Sequence, residues 1–340
     1  MRLSDPRAAH LLVLYALPVA VAGAGWGPAA AAGAVVVVAL LGIALRLWMT
    51  VAAARRRPAP LRLHTNSVSH YTEKVRWCLD RLGVPYEEVM NVGVLGVLVT
   101  GRTVPMLEVP PGLTRIGDSP RILRYLWGEF AGRMPFDATG FLEPTPATLE
   151  FEQDFDRRLG NDVRVWVYAR VFERRDLTLR SWGLEEPQIP GWQRGLLRVL
   201  ASVFRFAVRR MLAVTPARAV QALQRTHETF DRIDAQLADG RRYLMGESLT
   251  FADITFASLA APAVLPPEYA GRSLGGRRLA LEDLDPDWRG VVESLRARPA
   301  GQFVLRLYRE ERLADDPWDL LDRFLGEAEA GARRRAADAR

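Results

Sequence analysis

The sequence predicts an α+β protein, in which a small α/β domain is followed by an all-helical domain and preceded by one or two transmembrane helices. Three observations lead to this prediction. A run of 35 residues from Leu11 to Leu45 carries no charge. Residues 61–89 read as strand, amphipathic helix and strand, which is a β-α-β unit. After residue 136 only helical periodicity is found. The 340 residues therefore divide into a transmembrane hairpin (1–57), an α/β domain (58–135), a helical domain (136–326) and a flexible tail (327–340).

The uncharged run is too long for one membrane span. A single helix of that length would extend about 52 Å, against a hydrocarbon core of about 30 Å. The turn signal Gly25-Trp26-Gly27-Pro28 interrupts the run, so a hairpin of two helices is expected. The second helix, over residues 29–46, is the stronger candidate, because the first contains Pro18. One span or two remains open, and a signal peptide is the rival interpretation.

Arginines flank the uncharged run on both sides. By the positive-inside rule both flanks lie in the cytoplasm. We therefore expect a membrane protein, with the bacterial inner membrane as its location. Its soluble domains are expected to face the cytoplasm. Residues 1–57 hold six arginines against Asp5, and the remaining 283 residues hold 40 basic and 39 acidic side chains. Because the body of the protein is nearly neutral, a nucleic-acid partner is disfavoured.

The chain has a single cysteine, Cys78, which excludes an internal disulfide and a multi-cysteine zinc site. Cys78 lies on the apolar stripe of the helix predicted after the first strand. It is therefore expected to be a buried core thiol, and no metal is expected.

The α/β domain is expected to contain five elements besides its turns. A strand over 61–64 leads into a helix that begins near Ser69 and ends at Gly83. Strands follow over 84–89 and 103–109. A last helix over 120–130 is expected to take Ser119 as its N-cap and Pro120 as its first residue.

Four motifs in this order resemble the thioredoxin-like N-terminal domain of glutathione S-transferases. They are Ser-x-x-x-x-Lys-Val-Arg-Trp-x-Leu-Asp from Ser69, Gly-Val-Pro-Tyr-Glu from Gly83, Thr-Val-Pro-Met-Leu from Thr103, and Gly-Asp-Ser-x-x-Ile-x-x-Tyr-Leu from Gly117. The resemblance implies glutathione, or a related low-molecular-weight thiol, as co-substrate. It covers roughly residues 61–313.

The resemblance also implies a role for five residues. Ser69 would be the catalytic residue that contacts the glutathione sulfur. Val104 and Pro105 would form a cis peptide, with the Val104 backbone pairing with the tripeptide. Asp118 and Ser119 would hold the γ-glutamyl end, as acceptor for the α-amino group and donor to the α-carboxylate.

The residues themselves leave alternatives open at this site. Ser69 could simply cap its helix, and Asp118 with Ser119 could be a capping pair. His64 and His70 flank the site without an obvious acidic partner, so neither is assigned a base role. The family usually has a longer segment before Val104 with a polar residue for the glycine carboxylate. Here residues 90–102 are mostly apolar, so Arg102 or Asn91 would have to serve, or the site is altered.

The helical domain is predicted from its periodicity and caps. A long helix is expected over 145–177, with Arg164, Trp166, Tyr168 and Arg170 facing either a substrate cleft or the core and solvent. An arginine-rich helix over 193–214 is expected either to lie on an anionic membrane or to present an ordinary solvated face. The following helix begins at Thr215-Pro216, with its inner stripe starting at Val220. Thr250 and Asp253 form a capping box like that of the transferase family's C-terminal domain, and two further helices are expected over 288–298 and 300–312.

Two functional hypotheses follow. The first is a membrane-anchored glutathione S-transferase-like enzyme, which activates a thiol for conjugation to an electrophile or for thiol exchange. The second is a non-enzymatic protein of the same fold that acts as a binding or interaction module at the membrane. The expected partners are the thiol, a small electrophile, membrane lipid through the N-terminal helices and, because the family commonly dimerises, a second copy of the chain.

Overall fold

The computed structural model describes residues 61–66, 68–92, 104–110, 114–270 and 279–312, with isolated helical positions between 29 and 40. Apart from those positions, the predicted hairpin over 1–57 and the predicted tail over 327–340 lie outside the described residues. Among the helices that are described, none is both long and apolar enough to span a bilayer. The hairpin and the domain boundaries therefore stay predictions.

The α/β domain is built on a mixed four-stranded sheet. Its strands are β1 (Leu61–Thr65), β2 (Tyr86–Met90), β3 (Met106–Val109) and β4 (Thr114–Gly117), in the order β2-β1-β3-β4. β1 and β2 are parallel, whereas β3 is antiparallel to both β1 and β4. Helix α1 (His70–Arg81) joins the two parallel strands, which confirms the β-α-β unit. With helix α2 (Ser119–Phe130) this is the expected thioredoxin-like domain.

Helix α1 is buried along almost its whole length, because the sheet covers one side and the helical domain the other. Cys78 has no exposed surface, so the prediction of a core thiol is confirmed. Burial raises the pKa of the Cys78 thiol to about 12, which makes it a poor nucleophile. Gly83 ends the helix with φ +63°, the left-handed conformation that favours glycine.

The rest of the described chain is helical, as predicted. The helices are α3 (Phe136–Thr139), α4 (Pro146–Arg157), α5 (Leu159–Val171), α6 (Arg175–Ser181), α7 (Gly191–Met211), α8 (Pro216–Leu237), α9 (Phe251–Val264), α10 (Pro286–Ala297) and α11 (Pro299–Glu310). Short 3-10 turns lie at Gly140–Leu142 and Leu281–Asp283.

The predicted long helix over 145–177 is wrong, because the chain breaks at Arg158 between α4 and α5. The side-chain amide of Asn161 turns back and donates to the carbonyl of Arg157 at 2.8 Å. Asparagine competes in this way with the regular helical hydrogen bonds. The break leaves the carbonyl oxygen of Asp156 available to a side chain from the other domain.

Helix α9 forms the centre of the helical domain, since every residue in it except Pro262 is buried. The capping box is confirmed: Asp253 accepts hydrogen bonds from the backbone of Thr250 at 2.8 Å and of Leu244 at 2.7 Å. Helix α8 begins with Thr215 as its N-cap, also as predicted. Its predicted inner stripe is wrong at the first position, because Val220 is strongly exposed.

Candidate functional site

Ser69 lies at the N-terminus of α1, directly after the loop that follows β1. Its Oγ accepts a hydrogen bond from the backbone N–H of Thr72 at 3.2 Å, so Ser69 does cap the helix. A serine hydroxyl has two acceptor lone pairs and one O–H donor, and the cap uses one lone pair. Capping therefore leaves the O–H free to donate to a further atom.

Three contacts fix this N-terminus to the helical domain. The His70 imidazole donates from Nε2 to the carbonyl of Gly160 at 3.1 Å. The Tyr71 hydroxyl donates to the carbonyl of Asp156 at 3.0 Å, at the break between α4 and α5. The Tyr269 hydroxyl donates to the carbonyl of Val68 at 3.2 Å, one residue before Ser69. The site therefore lies where the two domains meet.

A glycine makes this close approach feasible. A Cβ at position 160 would lie 2.4 Å from the hydroxyl oxygen of Tyr71, so any side chain there would displace Tyr71 from its present position. Sequence reasoning missed Gly160, Tyr71 and Tyr269. Only a contact between distant parts of the chain reveals them, and nothing local marks them.

The two histidines at the site differ in their surroundings and partners. His70 is buried, and desolvation together with the charge of Arg164 lowers its pKa to about 3, so it is a neutral hydrogen-bond donor. His64 does have an acidic partner, contrary to prediction, because Glu108 on β3 lies 3.3 Å from its Nε2. That hydrogen bond lowers the pKa of Glu108 to about 2. The partner was missed because it comes from a strand 44 residues later.

Arg164 is the member of the predicted cleft-facing set that reaches the site. Its guanidinium lies 5.8 Å from the centre of the Tyr71 ring. Its positive charge opposes the rise that burial causes in the pKa of Tyr71. By contrast Trp166 is a core residue, and Tyr168 stacks on Phe172. Arg164 thus supplies a cation close to the N-terminus of α1.

The other predicted binding segments are brought together in the sheet. The peptide between Val104 and Pro105 is cis, as the resemblance implied. The backbone N–H of Asp118 donates to the carbonyl of Pro105 at 3.2 Å. Residues 104–105 and 118–119 therefore lie side by side, where β3 begins and β4 ends.

The N-terminus of α2 departs from the predicted cap by one residue. Asp118, not Ser119, is the N-cap residue, and its side chain does not cap the helix. Asp118 has φ +79°, a conformation that is costly for a residue other than glycine and that often marks a functional site. Ser119 is the first helical residue, and its buried Oγ has no hydrogen-bond partner in the described part of the chain. The capping-pair alternative therefore does not hold for these two side chains.

Asn91 is already engaged in the fold. Its Oδ1 accepts from the side-chain amide of Gln193 at 2.9 Å, and the Oε1 of Gln193 accepts from the backbone of Val92 at 3.0 Å. A ligand carboxylate would accept from Nδ2, and this atom is on a buried side chain and already donates to the carbonyl of Val89 at 3.4 Å. The suggested role of Asn91 with a ligand carboxylate is therefore not supported. Arg102, the other suggestion, lies outside the described residues.

A buried cluster of charges joins the two domains beneath the site. Lys74, the single lysine of the chain, has no exposed surface and pairs with Glu152 at 2.7 Å and Asp156 at 3.0 Å on α4. Arg312 pairs in the same way with Glu73 at 2.9 Å. Buried pairs of this kind are costly to break, because the remaining partner is left charged and unpaired. The cluster holds α1 in a fixed orientation.

Family models for both domains match the chain. The model described as "Glutathione S-transferase, N-terminal domain" matches residues 63–134, and the model described as "Glutathione S-transferase, C-terminal domain" matches residues 216–297. These matches support the glutathione S-transferase family. The thioredoxin-like domain with its mixed sheet, followed by a helical domain, fits that fold. No curated protein gives a significant match.

Several solved transferases are distantly similar. The theta-class glutathione S-transferase of Xanthomonas axonopodis pv. citri with glutathione bound is 20% identical, covering 74% of this chain and 98% of that one, with a TM-score of 0.38. The glutathione-bound enzyme of Methylobacillus flagellatus is 16% identical (72% and 98% covered, TM-score 0.39). An enzyme of Rhodopseudomonas palustris named as a possible glutathione S-transferase is also 16% identical (74% and 95% covered, TM-score 0.42).

A metal role finds no candidate in the residues described. No group of three or more histidine, cysteine, aspartate or glutamate side chains within those ranges is arranged to hold a metal ion.

Proposed function

We propose that the protein is a membrane-anchored, glutathione-dependent transferase. The observation that carries the proposal is the Ser119 hydroxyl, which is buried at the N-terminus of α2 and has no partner in the described residues. A buried polar group without a hydrogen bond costs about 1–3 kcal/mol. A ligand carboxylate at this position would accept from Ser119 and would be stabilised by the helix dipole. The carboxylate of Asp118 would accept from the ligand's α-amino group.

The sulfur end of the ligand would lie at the N-terminus of α1. A free thiol has a pKa near 8.5, and lowering it by about two units requires about 2.7 kcal/mol. The spare O–H of Ser69 would donate a charge-assisted hydrogen bond, worth roughly 1.5–3 kcal/mol, to the thiolate. The helix dipole and the guanidinium of Arg164 add to it. The sum is enough to make the thiolate the main species at neutral pH.

The reaction follows from this activated thiolate. The thiol proton passes to water when the thiolate forms. The sulfur then attacks an electrophilic carbon, the C–S bond forms, and the leaving group departs with its electron pair. In thiol exchange the same sulfur attacks one sulfur of a disulfide instead, the original S–S bond breaks, and the other sulfur leaves as a thiolate. The neutral His70 takes no part in these proton transfers.

The anchoring part of the proposal rests on the sequence of residues 1–57. An uncharged run flanked by arginines on both sides favours insertion into the inner membrane, with the domains in the cytoplasm. Protease treatment of inside-out membrane vesicles tests this topology. The domains are expected to be digested, and protection would contradict the cytoplasmic orientation.

The full chain in detergent micelles tests the thiol chemistry. Glutathione binding is measured by calorimetry, and conjugation with 1-chloro-2,4-dinitrobenzene by absorbance. We expect binding below millimolar concentration and displacement of chloride by the sulfur. No glutathione binding at millimolar concentration would overturn the assignment of glutathione. Other low-molecular-weight thiols, tested in parallel, then decide whether the site serves a different thiol.

One observation favours the non-enzymatic alternative. Asn91, one of the two polar side chains considered for the glycine carboxylate, is buried, and its donor Nδ2 is directed to the carbonyl of Val89 at 3.4 Å. A protein that binds the thiol but conjugates no electrophile would match this alternative. The binding and conjugation measurements, taken together, separate the two functions.

A further inference from the structure

Helix α7 presents an apolar surface to solvent. In the described parts of residues 61–312, six large apolar side chains are strongly exposed, and four of them lie on this helix. They are Trp192 (63% exposed), Val199 (80%), Val203 (55%) and Phe206 (68%). A single exposed apolar side chain is ordinary, but four on one helix form a patch that marks an interaction surface.

The patch is separate from the face that α7 uses to pack on the domain. At 100° per residue the four exposed side chains fall within an arc of about 60°. The buried residues Leu197, Ala201, Phe204 and Val208 lie on the opposite side of the helix. The helix therefore has two apolar faces, and the fold of the described chain covers only one of them.

The third face of α7 is basic. The helix contains five arginines and no acidic residue. At 100° per residue Arg194, Arg198, Arg205 and Arg209 fall within an arc of about 60° between the two apolar faces, whereas Arg210 falls among the exposed apolar side chains. Within the described part of the chain none of these arginines forms an ion pair. Arg205 and Arg209 donate to the backbone carbonyls of Phe172 and Val214, which leaves their charge uncompensated. A strongly positive strip thus borders the exposed apolar patch.

Charge decides which occupant fits this surface. A second copy of the chain, packed on the same helix about a two-fold axis, would bring five arginines against five. An anionic phospholipid surface offers the complementary charge together with an apolar layer beneath it. Tryptophan and phenylalanine between arginines are the composition of helices that lie in the membrane interface.

We propose that α7 is an interfacial helix that lies on an anionic phospholipid bilayer. The four exposed apolar side chains enter the headgroup region, and the arginines contact lipid phosphates. Because Gln193 at the start of α7 is bonded to Asn91 and Val92 at the end of β2, this contact also orients the α/β domain. The proposal does not depend on thiol chemistry.

The test uses the full chain reconstituted into vesicles, with a fluorophore on an added cysteine at Val199. Cys78 is buried and stays unlabelled under native conditions. One set of vesicles contains phosphatidylcholine alone and the other adds about one third phosphatidylglycerol, each with nitroxide-bearing lipids as quenchers. We expect at least threefold stronger quenching in the anionic vesicles. A matched label at Glu293, exposed on α10, is expected to show weak quenching in both.

A pair of charge variants tests the role of the arginines. Arg198→Glu with Arg210→Glu is expected to reduce quenching at position 199 about tenfold. Arg121→Glu with Arg309→Glu makes the same change of net charge on α2 and α11 and is expected to leave it unchanged. Cooperative thermal unfolding confirms that each variant is folded. The pair Val203→Ser with Phe206→Ser removes apolar side chains from the patch without a change of charge, and is a second way to weaken the contact of α7 with lipid.

Three results would overturn the proposal. The first is quenching at position 199 no stronger than at 293. The second is an equal loss with both pairs of charge variants, which indicates attraction by overall charge alone. The third is shielding of the label in detergent that increases with protein concentration, which assigns the patch to a second copy of the chain. Glutathione binding enters none of these measurements.

Discussion

The N-termini of α1 and α2 lie in the same small domain but differ in the hydrogen bonds that their side chains make. At α1 the side chain of Ser69 caps the helix, and residues from the helical domain hold the chain on either side of it. At α2 neither Asp118 nor Ser119 caps the helix through its side chain, and the hydroxyl of Ser119 is buried without a partner in the described residues. At the N-terminus of α1 the protein's own side chains provide the hydrogen bonds, whereas the N-terminus of α2 is suited to a ligand.

This difference suggests a division of labour, in which the α1 end serves the thiol chemistry and the α2 end serves ligand binding. The contacts at α1 fix the position of a hydroxyl and require only its spare O–H for chemistry. The backbone N–H of Asp118 donates to the carbonyl of Pro105, so the start of α2 is positioned without the hydroxyl of Ser119. Substitution of Ser69 should therefore affect stability as well as reactivity, whereas removal of the Ser119 hydroxyl should affect binding alone.

The largest expected effect is the loss of stability in acid caused by His70 at the α1 end. Its pKa is about 3 in the folded protein and about 6.5 when unfolded. Between these values the unfolded chain binds a proton that the folded chain does not, so the free energy of unfolding falls as the pH drops below 6.5. At pH 4 the loss is about 3 kcal/mol. Chemical denaturation at a series of pH values measures it.

His70→Gln is the control for this slope. A glutamine amide can donate to the carbonyl of Gly160 but does not titrate, so the variant should lose less stability between pH 6.5 and 4 than the wild type. An identical slope in both proteins would show that another group causes the acid sensitivity.

The next largest effect is expected at α2. Removing one charge-assisted hydrogen bond with Ser119→Ala or Asp118→Asn should weaken glutathione binding about 10- to 100-fold. Ser119→Ala should leave the free energy of unfolding equal or higher, since it removes a buried hydroxyl that has no partner. Calorimetry and thermal unfolding measure the two quantities. Destabilisation by about 1 kcal/mol would instead indicate a capping role.

A matched pair at Ser69 separates capping from contact with the sulfur. Ser69→Ala loses the cap and the donor, so it should cost about 1 kcal/mol of stability and raise the pKa of the bound thiol by about one unit. Ser69→Asp keeps a cap acceptor but has no O–H and adds a negative charge. It should retain stability while raising the pKa at least as much, as read from the ultraviolet absorbance of the thiolate. An unchanged pKa in Ser69→Asp would leave Ser69 with the cap alone.

The sequence predicted what local patterns encode. The end of α1 at Gly83, the buried Cys78 and the Thr250–Asp253 capping box all follow from spacing within a dozen residues, and the β-α-β unit follows from three consecutive elements of this kind. The break at Arg158 was missed, because a long apolar repeat continues across it while Asn161 turns back on the helix. The partner of His64 was missed because sheet pairing brings Glu108 beside it. The exposure of Val220 depends on which helices pack against α8, and the spacing of apolar residues does not reveal that packing.

The smallest effect is expected from Tyr269, which sequence reasoning did not single out. Its hydroxyl donates to the carbonyl of Val68 and so steadies the loop before Ser69 without touching the proposed ligand site. Tyr269→Phe keeps the ring and removes one neutral hydrogen bond, worth about 1 kcal/mol, so kcat should fall a few fold. Glutathione affinity should not change, because the α2 end is untouched. Tyr308→Phe is the matched control, since the Tyr308 ring lies 6.4 Å from that of Tyr269 and its buried hydroxyl has no hydrogen-bond partner in the described residues. A weaker affinity for glutathione in Tyr269→Phe would contradict the division of labour between the two helix ends.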